Sequence, residues 1–110
     1  MPKADRDVYI VNIGGEYRVR PAVAPVKGGK KKQVWFRNTT DADVTLIFPA
    51  NTITGESSRT LRAGAGDAYD LVDMGKDDPP KVVTYAAAVT KNTELILAKG
   101  ESGPTLIIDP

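Results

Sequence analysis

The chain is expected to fold as an all-β protein, a sandwich or small barrel of about seven or eight short strands. Three observations carry that expectation. Short runs alternate apolar and polar residues with a period of two, which places the apolar side chains on one face of a strand. Clusters of Gly, Pro, Asn and Asp separate those runs at turn-like spacing. Little of the chain follows the 3.6-residue period of an amphipathic helix, and no segment repeats itself at a fixed interval.

Val8-Tyr9-Ile10-Val11-Asn12-Ile13 is β-branched and aromatic, stops at Gly14-Gly15, and gives way to the strict alternation Glu16-Tyr17-Arg18-Val19-Arg20. A Gly-Gly pair between two such runs predicts a hairpin. Pro21 and Pro25 offer no amide proton to a ladder, so the chain should leave the sheet there or follow its edge. Lys27-Gly28-Gly29-Lys30-Lys31-Lys32 reads as a flexible basic loop, and Gln33-Val34-Trp35-Phe36-Arg37-Asn38 as the next strand. Thr39 to Asp43 is turn chemistry, with Asn38 as turn former, leading into Val44-Thr45-Leu46-Ile47-Phe48 and a stop at Pro49. Ser58 to Arg62 and Ala68 to Val72 flank a turn at Gly64-Ala65-Gly66. Asp77-Asp78-Pro79-Pro80 is a loop. The tail offers Val82 to Val89, Glu94 to Leu97, and Thr105 to Ile108. Within residues 86–98, Ala86-Ala87-Ala88 and Thr93-Glu94-Leu95-Ile96-Leu97 are where a short helix competes.

The chain of 110 residues matches one domain, spanning residues 1–110, and its 41 % apolar and 26 % charged composition is that of a globular protein. No apolar run approaches the roughly 18 residues of a membrane-spanning helix, and the start has no apolar leader segment. A soluble cytoplasmic protein is expected, although an export leader removed beforehand would leave the same sequence. The chain contains no Cys and no His. That excludes disulfides, thiolate nucleophiles, iron–sulfur ligation, imidazole bases, and the usual zinc and copper sites. Carboxylate, Lys or Tyr chemistry remains, or no chemistry at all.

Net charge is +1, but residues 1–40 carry nine Lys/Arg against three Asp/Glu, a sum of +6, which leaves −5 for residues 41–110. Such a gradient marks a binding face unless the fold interleaves the two halves.

Several motifs taken in order resemble those of the cupredoxins. Val34-Trp35-Phe36-Arg37-Asn38 is similar to the family's V-x-F-x-N strand, and Val44 to Pro49 to its His-bearing strand. Leu61-Arg62-Ala63-Gly64 is similar to its L-x-P-G turn, Tyr85 to Val89 to its Y-x-x-x-C strand, and Pro104 to Asp109 to its closing strand. The resemblance covers roughly residues 30–110 and implies a Greek-key sandwich. It also places the family's first His near Val44 and its Cys near Val89, both aliphatic here; the second His is absent, and Met1 and Met74 fall outside the expected loop. The resemblance therefore implies a metal-free variant with no cofactor, whose former site is packed core.

Trp35 and Arg37 should point outward, opposite Val34 and Phe36, by the strand period of two. If the neighbouring strands are those of Ile47, Ala86 and Ala88, these residues form an outer apolar patch with Trp35. Trp35, Arg37 and Ile47 are then partner-binding candidates, for a homodimer or another protein, because Trp and Arg are enriched at interface centres. The alternative is that Trp35 lies under a loop such as residues 50–58. Lys27, Lys30, Lys31 and Lys32 are anion-binding candidates, or else a solubilising or edge-guarding loop. Nucleic acid is disfavoured for that loop because stacking aromatics are absent from it. Asp70, Asp73 and Tyr69 are the alternative, a ligand-binding or carboxylate-based site, and Asp77/Asp78 fit a solvated loop. Gly64-Ala65-Gly66 is read as a turn rather than a dinucleotide fingerprint, and Asn38-Thr39-Thr40 as a chance sequon. The functional expectation is a non-enzymatic, metal-free binding or assembly module.

Overall fold

The computed structural model describes residues 6–27, 33–50, 52–72, 77–91, 94–97 and 104–109. These residues form strands and turns throughout. Eleven strands occur among them: β1 (Arg6–Ile13), β2 (Glu16–Arg20), β3 (Val23–Lys27), β4 (Gln33–Asn38), β5 (Asp43–Ile47), β6 (Ser58–Leu61), β7 (Gly66–Asp70), β8 (Lys81–Thr84), β9 (Ala86–Lys91), β10 (Glu94–Leu97) and β11 (Thr105–Asp109). They build sheets ordered β2-β1-β4-β7, β10-β9-β5-β6 and β3-β11-β8. The strand count exceeds the seven or eight expected, in part because Glu94–Leu97 is a strand where a short helix competes, and for two further reasons. Val23–Lys27 is a strand despite Pro25, and Val82–Val89 is two strands rather than one.

Both differences have a physical cause. β3 sits at the edge of its sheet, parallel to β11, where Pro25 can be tolerated. The chain reaches it from β2 through a cis Arg20–Pro21 bond, so the prolines mark both an exit and an edge. At Tyr85 the chain passes from β8, which pairs with β11, to β9, which pairs with β5. Val83, Tyr85, Ala87 and Val89 are all buried, so the inward-facing set continues through the change of sheet, with Ala88 buried as well. The competing helix at 86–98 does not form in its described part, where β9 and β10 pair antiparallel.

Two turns behave as their residues require. Gly14 and Gly15 join β1 to β2 with φ of 60° and 85°, the positive values a two-residue hairpin of type I′ needs at both positions. The turn before β7 is closed by the Ala65 amide donating to the Arg62 carbonyl at 2.9 Å.

All three sheets turn apolar faces to one core. At its centre Phe36 meets the rings of Phe48, Tyr69 and Tyr85 at centroid distances of 5.6, 5.8 and 5.4 Å. These rings come from β4, the end of β5, β7 and the β8–β9 junction, so one residue ties the layers together. No helix among the described residues is long and apolar enough to cross a membrane.

Candidate functional site

Two regions have the residues to be a site, one inside the sandwich and one outside. Inside, Val44 of β5 stands directly opposite Val89 of β9 and opposite Leu61 of β6. Val44 and Val89 are both 0 % exposed. Beside them Asn38, itself buried, holds two turns together. Its Nδ2 donates to the carbonyls of Ala42, Leu61 and Arg62 at 2.7, 3.1 and 3.1 Å. Its Oδ1 accepts from the Thr40 amide at 3.0 Å and the Thr40 hydroxyl at 2.6 Å. Asn38 is thus a turn former, as the sequence suggests, and also a clamp on the β6–β7 turn.

This interior does not fit a type 1 copper centre. Such a centre needs imidazole and thiolate donors, whereas the chain has neither His nor Cys and the matching positions are packed aliphatics. Among the described residues no three acidic side chains converge as a metal site either.

Outside, the β2-β1-β4-β7 sheet shows a different chemistry. The register places Arg20, Tyr9, Arg37 and Gly66 in one row across all four strands. The next row holds Asp7, Trp35 and Ala68. Because Val8, Ile10, Val34 and Phe36 point inward, Tyr9, Trp35 and Arg37 point outward, as alternation requires. The Arg37 guanidinium carbon lies 4.6 Å from the Trp35 ring centroid, a cation–π stack worth about 0.5–1 kcal/mol at an exposed position. The indole also reaches across Gly66, where an added Cβ would come within 2.9 Å of its Nε1. Only a residue without a side chain allows that approach. The indole N–H is buried and has no hydrogen-bond partner among the described residues, so packing and the arginine hold the ring. Of residues 50–58, Ile53 forms an isolated bridge with Leu71, and the Thr54 amide donates to the Asp70 carbonyl at 2.9 Å.

The expected patch of Trp35 with Ile47, Ala86 and Ala88 does not exist. Ile47 and Ala86 are register partners in the β10-β9-β5-β6 sheet, while Trp35 belongs to the other four-stranded sheet. Alternation tells which side of its own strand a residue occupies; it does not tell which sheet the strand joins. Ile47 is 47 % exposed, and Ala88 is buried. Lys27 ends β3, whereas Lys30, Lys31 and Lys32 lie outside the described residues, as do Asp73, Met1 and Met74. Asp70 accepts from the Gln33 side-chain amide at 2.8 Å, and Asp77 and Asp78 are exposed. Burial, then Asp67, pushes the Tyr69 phenol up to about 12 against the opposing Arg59, so it stays protonated at neutral pH. That is the reverse of a poised general base.

Tyr9 and Arg20 are the face residues that sequence reasoning missed. The signal was present in part: both alternate with buried neighbours. What could not be read was the parallel pairing of β1 with β4, two strands separated by a hairpin and a further strand.

No family model and no curated protein matched the chain. Solved structures did match. The purple cupredoxin from Nitrosopumilus maritimus superposes with a TM-score of 0.56 at 15 % identity, covering 96 % of this chain and 100 % of that one. The Cu(I) form of a methionine-to-alanine mutant of amicyanin gives 0.54 at 13 % identity over 99 % of this chain and 86 % of that one. The reduced Cu(I) form of a proline-to-glycine mutant of amicyanin gives 0.53 at 15 % identity with the same coverage. At these identities the likeness establishes the fold, a cupredoxin-like sandwich, in a chain lacking the His and Cys of a copper site.

Proposed function

We propose that this chain is a non-enzymatic binding or assembly module, a single metal-free domain over residues 1–110 that works through a surface rather than a buried centre. The observation that carries the reading is the Trp35–Arg37 stack on the outer face of the β2-β1-β4-β7 sheet. Trp and Arg, both directed outward on the sheet here, are among the residue types enriched at the energetic centres of interfaces. Burial of Val44 and Val89 supports the reading, since the positions that match copper ligands in the resembled family are filled with hydrocarbon. Ile47, on the other four-stranded sheet, belongs to this proposal as a separate contact. Lys27, Lys30, Lys31 and Lys32 belong to it as an anion-binding segment read from sequence.

The test is the solution mass by light scattering at low and high concentration, with and without Trp35→Ser. A dimer that the substitution dissolves makes the face an assembly surface. A dimer that persists unchanged in Trp35→Ser moves the interface elsewhere and sinks the assignment of Trp35. A monomer at all concentrations removes self-assembly and leaves a foreign partner for the same face.

A further inference from the structure

One row of the β2-β1-β4-β7 sheet is locally basic. Residues 1–40 carry nine Lys/Arg against three Asp/Glu, and they supply β1, β2 and β4, three of the four strands of the β2-β1-β4-β7 sheet. Over the whole sheet the charge gradient is cancelled, Arg6, Arg18, Arg20 and Arg37 standing against Asp7, Glu16, Asp67 and Asp70, and the positive charge is local to the row of Arg20 and Arg37. On its outer face two aromatic rings occupy the two central strands, Tyr9 on β1 and Trp35 on β4, and arginines stand on either side of Tyr9 in the same row. Tyr9 is 37 % exposed, and Arg20 and Arg37 are exposed. Neither arginine has an ion-pair partner among the described residues, whereas Arg18 is taken by Glu16 at 2.7 Å.

We propose that this face binds single-stranded nucleic acid, with Tyr9 and the Arg37 guanidinium plane as stacking platforms and Arg20 and Arg37 as phosphate contacts. The inference rests on the reading of this face as the contact surface, and names its partner. The occupant follows from the layout. A sheet surface with rings at its centre and cations beside them matches a flexible strand that lays bases on π-faces and phosphates on guanidiniums. The Arg37 guanidinium already lies over the Trp35 ring, which restrains it before a ligand arrives, and a planar guanidinium suits phosphate recognition. The cross-strand spacing of roughly 4.8 Å sets Arg20 and Arg37, two strands apart, about 10 Å from each other, with Tyr9 between them.

Trp35 is the sole tryptophan, so its emission reports on the face directly. The experiment titrates the full chain with a fifteen-nucleotide oligothymidylate, with oligouridylate of the same length, and with decaglutamate, in wild type and in the double variant Arg20→Ala, Arg37→Ala. Both changed side chains are exposed, so the variant keeps the fold, which far-UV circular dichroism verifies. Saturable change of the emission by an oligonucleotide is expected, and it should vanish in the double variant. Two phosphate contacts give a log–log salt slope of about −1.4, so affinity should fall roughly sevenfold between 50 and 200 mM salt. Tyr9→Ala should weaken binding roughly tenfold through the lost stacking. Preference for one oligonucleotide over the other assigns DNA or RNA within the same proposal. Response to decaglutamate alone overturns the nucleic-acid partner and leaves the contact surface standing. Oligonucleotide binding that survives the double variant overturns the site, and no response to either oligonucleotide overturns the inference outright.

Discussion

The interior around Val44 and Val89 and the outer row of Arg20, Tyr9 and Arg37 are built the same way, from side chains set opposite one another on neighbouring strands. Their chemistry is opposite. In the interior the hydrocarbon is closed off from water and the Asn38 side chain beside it is hydrogen-bonded on both its oxygen and its nitrogen. On the outer row two cations and a ring face solvent without partners that use their full capacity. The interior positions that the family resemblance matches to copper ligands hold packed aliphatic side chains. On the proposed reading, recognition falls to the sheet surface.

That contrast can be broken from the inside first. Asn38→Ala removes every side-chain bond by which Asn38 joins the β4–β5 turn to the β6–β7 turn and takes that partner from the buried Thr40 amide and Leu61 carbonyl, a buried group left unpaired costing about 1–3 kcal/mol. A loss of about 3–5 kcal/mol is expected in denaturant unfolding, and a loss below about 1 kcal/mol would mean the clamp is redundant. Val44→His puts a polar ring opposite Val89 and Leu61 in a position closed to water, and a cost of about 2–4 kcal/mol is expected in the same assay. If the variant is as stable as wild type, the interior is open enough to solvate an imidazole and the closed-core description fails.

The next change is smaller and depends on pH. Burial raises the phenols of Tyr69 and Tyr85 above their ordinary value of 10, Tyr69 to about 12. The folded state therefore keeps protons that the unfolded chain releases above pH 10. Stability should be level with respect to these groups below pH 10 and fall as pH climbs from 10 through 12, visible in the denaturation midpoint. A midpoint that rises over that range would contradict the sign. The Tyr85 hydroxyl is buried with no hydrogen-bond partner among the described residues. Tyr85→Phe should accordingly be neutral or stabilise by about 1 kcal/mol, and a clear loss would reveal a partner for that oxygen.

Much of this is legible in the sequence, and the limit has a definite form. Alternation settles the inward and outward side of Val34, Trp35, Phe36 and Arg37, and the Gly14-Gly15 pair settles a hairpin. The order of weak motifs points to the sandwich and to aliphatic residues where copper ligands would stand. Long-range pairing is not legible. Nothing local says that β4 lies beside β1 rather than β5, so alternation alone groups Trp35 with Ile47, whereas its true neighbours are Asp7, Ala68 and the Arg37 stacked on it. Nor does anything local mark Tyr85 as the point where the chain changes sheets, since the buried positions continue in step.

The outer face offers the mildest perturbations. Arg37→Ala loses a cation–π stack and exposes one face of Trp35, so stability should move by no more than about 1 kcal/mol while the emission of Trp35 changes. Gly66→Ala forces the indole to shift, because its new Cβ would meet Nε1 at 2.9 Å, and the same spectral readout should respond. An unaltered emission spectrum in both variants would mean the ring does not rest where Gly66 and Arg37 hold it.

The central claim is that recognition belongs to the outer sheet face and not to the interior where the fold's metal would sit. Amide shift mapping of the isotopically labelled chain on addition of oligothymidylate tests it most directly. The account expects the Trp35 indole N–H and the amides of Tyr9, Arg20 and Arg37 to move while Asn38, Val44 and Val89 stay in place. Shifts concentrated at Asn38, Val44 and Val89, with the outer row unmoved, would contradict it.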